Sequence, residues 1–473
     1  MKKSKELVRK TGIISLGKIS TQVVSFFLLP LYTARLNAED YGNFDLIVTM
    51  AAFFCPLLTM LMEESMFRFL VDAKDEDEKE KIISLTFIFC VFNGAIVCSI
   101  VFAVCKFVNY TYATEFILYL MILFLVALSN ALSRGLGKIG LYSLSNFISS
   151  VIVILLNLFF ILAMNWEFKA LFVSNVSANL IASIFVMLRL GVWKYIKLSA
   201  IDKKLMKEML RYSMPLVPNS ISWSIINASD RLVITGFLGV SSNGLYSVAN
   251  KFPGLINNFF SFFNIAWREV SAKIVNDNDV EEFDRVFKAV RNGLISITIV
   301  LIGCIKIIYP FFINEAYQSS ISYVPILAIA VYYLCISAFY GGVFTAYKDT
   351  NIIGQTSLLG AIINLAVDLV LVRSIGIYAA AISTLFAAYF MCIYRKLKMQ
   401  KYLKIGFKSD IVEAVLFAIG LVWFHVDNNF LNIMFASVSV ITAIIVSRSF
   451  IYKSYYILKN YYDEIWKIIK SGR

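Results

Sequence analysis

The chain has 473 residues, of which 59% are hydrophobic and 16% charged, with a formal net charge of +13. Soluble domains run at about 45–50% apolar and about 25% charged, so too few polar residues remain here to cover a soluble core. A soluble enzyme and a disordered chain are excluded, and a nucleic-acid reading of the positive charge depends on where the charges sit.

A spanning helix needs roughly 20 apolar residues. Apolar runs and polar breaks predict fourteen spans, at about 11–34, 42–62, 82–105, 112–133, 142–164, 168–188, 212–239, 244–271, 289–313, 322–347, 352–372, 377–394, 411–426 and 430–450. The fold class expected is an all-α polytopic membrane protein. The basic start MKKSKELVRK precedes a long apolar run without a small-residue cleavage pattern, so it reads as the flank of an uncleaved first helix. The seven cysteines all fall in apolar runs and form no CxxC pair, so neither a disulfide framework nor a zinc site is expected.

The charges then sort by side. With the N-terminus in the cytoplasm, 35 of the 44 Lys and Arg residues fall in inside segments, counting Arg291 and Arg448 at the inner ends of their spans, four in outside loops and five deeper within spans. That asymmetry follows the positive-inside rule and places both termini in the cytoplasm. The outside loops are all short, and no inside loop is long enough for a catalytic domain. The expectation is a non-enzyme without cofactor, metal or nucleic-acid partner.

An internal repeat organises the spans. Thr33, Leu36, Gly42 and Phe44 recur as Thr235, Leu238, Gly244 and Tyr246, each 202 residues later. A weaker echo links 170–174 with 379–383. The reading is an N-terminal six-helix lobe (1–190), a cytoplasmic linker (191–211) and a C-terminal six-helix lobe (212–397). Extra helices 13 and 14 (398–450) and a cytoplasmic amphipathic tail (451–473) follow. Parallel repeats of this kind enclose a central cavity.

Three stretches carry a family resemblance. Residues 27–46 (FLLPLYTARLNAEDYGNFDL) resemble the first hairpin of Wzx-type O-antigen flippases, which move polysaccharide repeat units. Residues 227–239 (NASDRLVITGFLG) and 244–253 (GLYSVANKFP), with Ala266 and Trp267, resemble their seventh and eighth helices. That family belongs to the MOP superfamily, which also holds the MATE exporters. The resemblance implies two lobes, a bacterial cytoplasmic (inner) membrane location and alternating access. Its implied substrate is an undecaprenyl-pyrophosphate-linked oligosaccharide for cell-surface polysaccharide such as lipopolysaccharide. Membrane lipids, a polysaccharide polymerase and a chain-length regulator are the implied partners.

Charges inside spans mark the candidate site, because each costs several kcal/mol at mid-helix, roughly 2.5–3.5 on insertion scales. The five basic ones are Lys18, Arg231, Lys251, Arg268 and Lys306. Lys18 sits among Gly17, Ser20, Thr21 and Gln22, and either snorkels or faces the cavity. Arg231 and Asp230 lie on the most polar span, with Asn219, Ser220, Ser222, Ser224, Asn227 and Ser229. Adjacent residues on a helix point about 100° apart, so the two need not pair with each other. Arg231 is either a phosphate or sugar contact or half of an ion pair with another helix.

Lys251 and Asn257 are placed on the same cavity, and Arg268 is a cavity contact or an interfacial anchor. Asp230, Asp368 and Lys306 are candidates for an ion pair or for coupling, with snorkelling of Lys306 and plain solvation of Asp368 as the competing readings. Asp75-Glu76-Asp77 matches a DxD pattern but lies in a solvated charge run, and the lone His425 is read as incidental. A cation-exporting MATE-like pump is the alternative function, and a membrane polysaccharide polymerase a weaker one. The basic excess inside the spans argues against the first, and the short outside loops against the second.

Overall fold

The structure is a computed structural model that describes residues 26–197, 202–276, 279–347, 349–402, 408–426 and 428–447. Its described residues are helical throughout, without a strand. The helices are α1 (Leu29–Arg35), α2 (Ala38–Thr59), α3 (Met62–Asp72), α4 (Glu76–Phe107), α5 (Ala113–Gly135), α6 (Ile139–Leu158), α7 (Phe168–Leu190) and α8 (Lys203–Ser213). They continue as α9 (Leu216–Leu238), α10 (Val240–Asn276), α11 (Val280–Phe312), α12 (Val324–Ala346), α13 (Asn351–Ile375), α14 (Tyr378–Met399), α15 (Lys408–Phe424) and α16 (Asn429–Ser447).

Local chemistry sets the helix starts. Asn37 accepts the Asp40 N–H at 2.7 Å to cap α2, whose first turn carries Glu39 and Asp40. Asp75 caps α4 through the Glu78 N–H at 2.8 Å, so the DxD stretch is a helix start whose acids pair with Lys79 and Lys81. Asp279 caps α11 in the same way. Between α2 and α3 the chain turns through Met60 and Leu61, both at positive φ (49° and 53°). The Leu61 N–H donates to Thr59 Oγ1 there, at 3.1 Å.

Each predicted span from the second onward coincides with a described helix. The first span, 11–34, overlaps α1 at its end, and the remainder lies outside the described residues, as do Lys18 and the tail 451–473. Ten of the described helices are long and apolar enough to cross a membrane. Their outward side chains are apolar; Val370 is 74% exposed and Ile445 67%. An apolar exterior of this kind matches a hydrocarbon solvent. α9 and α10 are not among the ten, and α9 carries Asp230 and Arg231.

The chain packs as two compact units. One is Met1–Ser247 with Asn364–Ala380, and the other Val248–Ile363 with Ala381–Arg473. In the first, Ile47, Leu58, Phe116, Leu120 and Phe172 form one apolar cluster, and Met62, Met66, Ile83, Leu128 and Met209 another. Ser65 Oγ donates to the Met209 carbonyl at 3.1 Å and ties α3 to α8. The core of the second unit is aromatic. Trp267 stacks on Phe339 with ring centroids 4.2 Å apart and donates its indole N–H to the Phe339 carbonyl at 2.9 Å. Gly342 makes room for that ring, since a Cβ there would lie 2.6 Å from Trp267 Cδ1.

Candidate functional site

A polar cluster in the first unit joins α2, α9, the start of α10 and the end of α13. Arg231 on α9 donates from Nε to Asp45 Oδ2 on α2 at 2.8 Å. The side chains are 15% and 12% exposed. The guanidinium also stands 5.8 Å from the Tyr246 ring centre. Arg231 is therefore held by a carboxylate 186 residues away in sequence.

Asp230 points elsewhere, as the helical turn between neighbours requires. It accepts the Tyr246 hydroxyl at 2.5 Å and the Asn364 amide at 3.0 Å. Ser229 donates to the Asn364 amide oxygen at 2.7 Å, so Asn364 is fixed by α9 on both of its ends. Val233, Val372 and Ala379 pack together beside this network.

One turn along α13 from Asn364 lies Asp368, at the i, i+4 position on the same face. It is fully buried and within electrostatic range of Asp230. Neither of its oxygens has a hydrogen-bond partner among the described residues. Tyr246, Asn364 and Asp45 were not singled out by the sequence as partners of this site. The Asn364-x-x-x-Asp368 spacing was the available signal.

Asn227 is on α9, and its side chain lies outside the described ones. Lys251, Asn257 and Arg268 belong to the second unit, where Lys251 is half-buried and the other two exposed. Lys306 donates to the Val426 carbonyl at 2.9 Å and sits 5.1 Å from the Phe424 ring centre, which ties α11 to the end of α15.

The second unit also buries charges that the sequence counts as cytoplasmic loop. Arg395 is 1% exposed and donates to the Ser337 carbonyl, Thr356 Oγ1 and Ser357 Oγ at 2.8–3.0 Å. Lys396 is buried beside it. The reason is length: α14 runs on to Met399, past the predicted end at 394. Arg291 pairs with Glu413 at 3.3 Å, and Tyr332 donates to the same carboxylate at 2.7 Å.

Taken together, these groups can hold charge inside an apolar bundle, and they present no nucleophile–base pair. A bundle of this kind, with charged groups buried inside an apolar exterior, is that of an all-helical polytopic membrane protein, and its fold is similar to that of solved transporters of the MOP superfamily. It is similar to an inward-facing multidrug resistance MATE transporter of that superfamily (TM-score 0.67, 14% identity, covering 82% of this chain and 98% of that one). It is equally similar to the lipid II flippase MurJ in an inward closed conformation (TM-score 0.67, 16% identity, 94% and 98%). A MOP transporter from Pyrococcus furiosus, described as having a binding pocket of reverse polarity, is also similar (TM-score 0.54, 14% identity, 83% and 95%). No curated protein matches by sequence. A family model described as polysaccharide biosynthesis protein matches residues 7–268, more than half of the chain. The chain belongs to that family.

Proposed function

We propose that the protein moves an undecaprenyl-pyrophosphate-linked oligosaccharide repeat unit across the bacterial cytoplasmic membrane by alternating access. The family match over residues 7–268 carries this reading, because it ties a transporter fold to polysaccharide biosynthesis. The repeat unit supplies cell-surface polysaccharide, of which O-antigen is one kind. A polysaccharide polymerase and a chain-length regulator act downstream. Both termini lie in the cytoplasm in this reading.

Roles follow from residue type. In this reading Arg231 in the first unit contacts the phosphate, and Lys18, Lys251, Arg268, Asn227 and Asn257 are, each by its chemistry, contacts for pyrophosphate or sugar. Arg231 is held by Asp45 at rest and is released to the phosphate during transport. Lysine and arginine suit phosphate as a point charge and a planar fork respectively.

Asp368, with Asp230, carries the coupling charge. A bare carboxylate at that depth costs several kcal/mol, roughly 2.5–3.5 on insertion scales. A proton or a monovalent cation neutralises it, and release of that charge on one side drives the cycle. Lys306 is assigned to holding α15 in place. A cell test is deletion of the protein. Lipid-linked repeat units should then accumulate facing the cytoplasm, protected from an added external glycosidase. Full exposure of those units to the glycosidase in the deletion strain would defeat the proposal.

A further inference from the structure

The repeated hairpin has a structural use that the polar cluster does not account for. A Cβ on Gly42 would run into the Val240 carbonyl oxygen and the Gly244 amide nitrogen. A Cβ on Gly244 would run into the Ala38 carbonyl oxygen. The offset of the repeat is 202 residues, which maps Gly42 on Gly244 and Ala38 on Val240. So the contact that Gly42 makes on Val240 is returned by Gly244 on Ala38.

Such an exchange is the mark of an isologous contact, in which the same surface is used twice about a two-fold axis. Here both copies lie in one chain. Ala38 and Val240 are the first residues of α2 and α10, so the two helices cross at their starts. Only glycine permits that approach, as in close helix crossings within membranes. Asn243 adds a hydrogen bond from its amide to the Gly42 carbonyl at 3.0 Å. Asp45 follows Gly42 by three residues, so the Asp45–Arg231 pair lies about one turn further along the same face.

We propose that this glycine crossing is the outer gate of the transport path. It rests on the transporter reading and on the topology that puts both hairpins outside. The crossing holds the outer starts of α2 and α10 together while the path is open to the cytoplasm. Opening to the outside parts the two glycines and breaks the Asn243 bond. It also separates Asp45 from Arg231, which leaves a guanidinium at the outer end for an outgoing phosphate. A contact of glycine on carbonyl oxygen has no interlocking side chains, so it parts and re-forms without repacking a core.

The test uses spin labels at Glu39→Cys and Ser241→Cys, two exposed positions related by the same offset. The native cysteines are replaced, and the full chain is studied in lipid nanodiscs without substrate. The unaltered glycines should give one short distance. Gly42→Ala and Gly244→Ala should each add a longer one, with the open-to-closed ratio raised roughly tenfold or more, the size expected when one methyl is forced into a close contact. Gly236→Ala should change nothing, since no atom lies within 4 Å of its added Cβ.

If the glycine variants fail to insert, Asn243→Ala removes a bond without adding bulk and should produce a smaller shift of the same kind. A wild-type distance distribution in Asn243→Ala and in every glycine variant that folds overturns the gate. A shift in only one of the two glycine variants overturns its two-fold character. Flipping of lipid-linked sugar is a separate readout. Failure there with the distance shift present would sink the transport reading and leave the crossing as a structural gate.

Discussion

Removing one side of the Asp45–Arg231 pair strands the other charge inside the bundle. The two side chains are 2.8 Å apart and only 15% and 12% exposed. A fully buried pair loses about 3–5 kcal/mol when one partner is removed, whereas an exposed pair is worth about 0–1 kcal/mol. At this exposure the expected cost of Asp45→Asn or of Arg231→Gln is about 2–3 kcal/mol, below the buried limit. The double variant strands no charge, so it should cost less than the sum of the two, by about 1–2 kcal/mol. The assay is denaturant titration of the purified protein, followed by thiol labelling of the buried Cys90 and Cys335. Additivity of the two single effects within about 0.5 kcal/mol would show that Asp45 and Arg231 are not coupled.

Asp368→Asn keeps the shape of a fully buried side chain and removes its ionisation, so it should leave the fold as stable as before or more so. The same variant should abolish the dependence of transport on an ion gradient; wild-type gradient dependence would remove Asp368 from coupling. Arg395→Ala should cost about 2–4 kcal/mol in the same titration, because Ser337, Thr356 and Ser357 all lose a charged donor. Gly342→Ala should destabilise by about 1–3 kcal/mol and shift the fluorescence of Trp267, into whose ring the new methyl would press.

At the start of α8, the Leu205 and Lys204 N–H groups hold the Asp202 carboxyl below its usual pKa. A depressed carboxyl contributes stability above its unfolded value of about 3.9, and loses it as pH falls through the lowered one. Amide exchange at the start of α8 should therefore rise only in acid, whereas in Asp202→Ala it should be raised at neutral pH.

Much of the fold was legible because each span is an apolar run with a polar break. Where the sequence placed span ends by composition, it stopped α14 short, and so counted Arg395 and Lys396 as solvated. The burial of Arg395 depends on carbonyls and hydroxyls of α12 and α13, which no local pattern reveals. The site was half legible. Asp230 and Arg231 stand out as charges in a polar span, but Asp45 and Asn364 are 186 and 134 residues away. Only the folded bundle shows which charge each of them meets. The repeated hairpin was legible as a pattern, while the reason for its glycines became visible only where Gly42 and Gly244 approach each other.

The most direct test of the central claim is headgroup translocation in proteoliposomes that contain the purified protein and a fluorescent undecaprenyl-pyrophosphate-linked oligosaccharide from its own host. The sugar should become accessible on the far leaflet faster than in protein-free vesicles. Arg231→Gln should slow this transfer at least tenfold, the effect of losing about 1.4 kcal/mol from the limiting step. Transfer no faster than in protein-free vesicles, with the host's own sugar supplied, would contradict the claim.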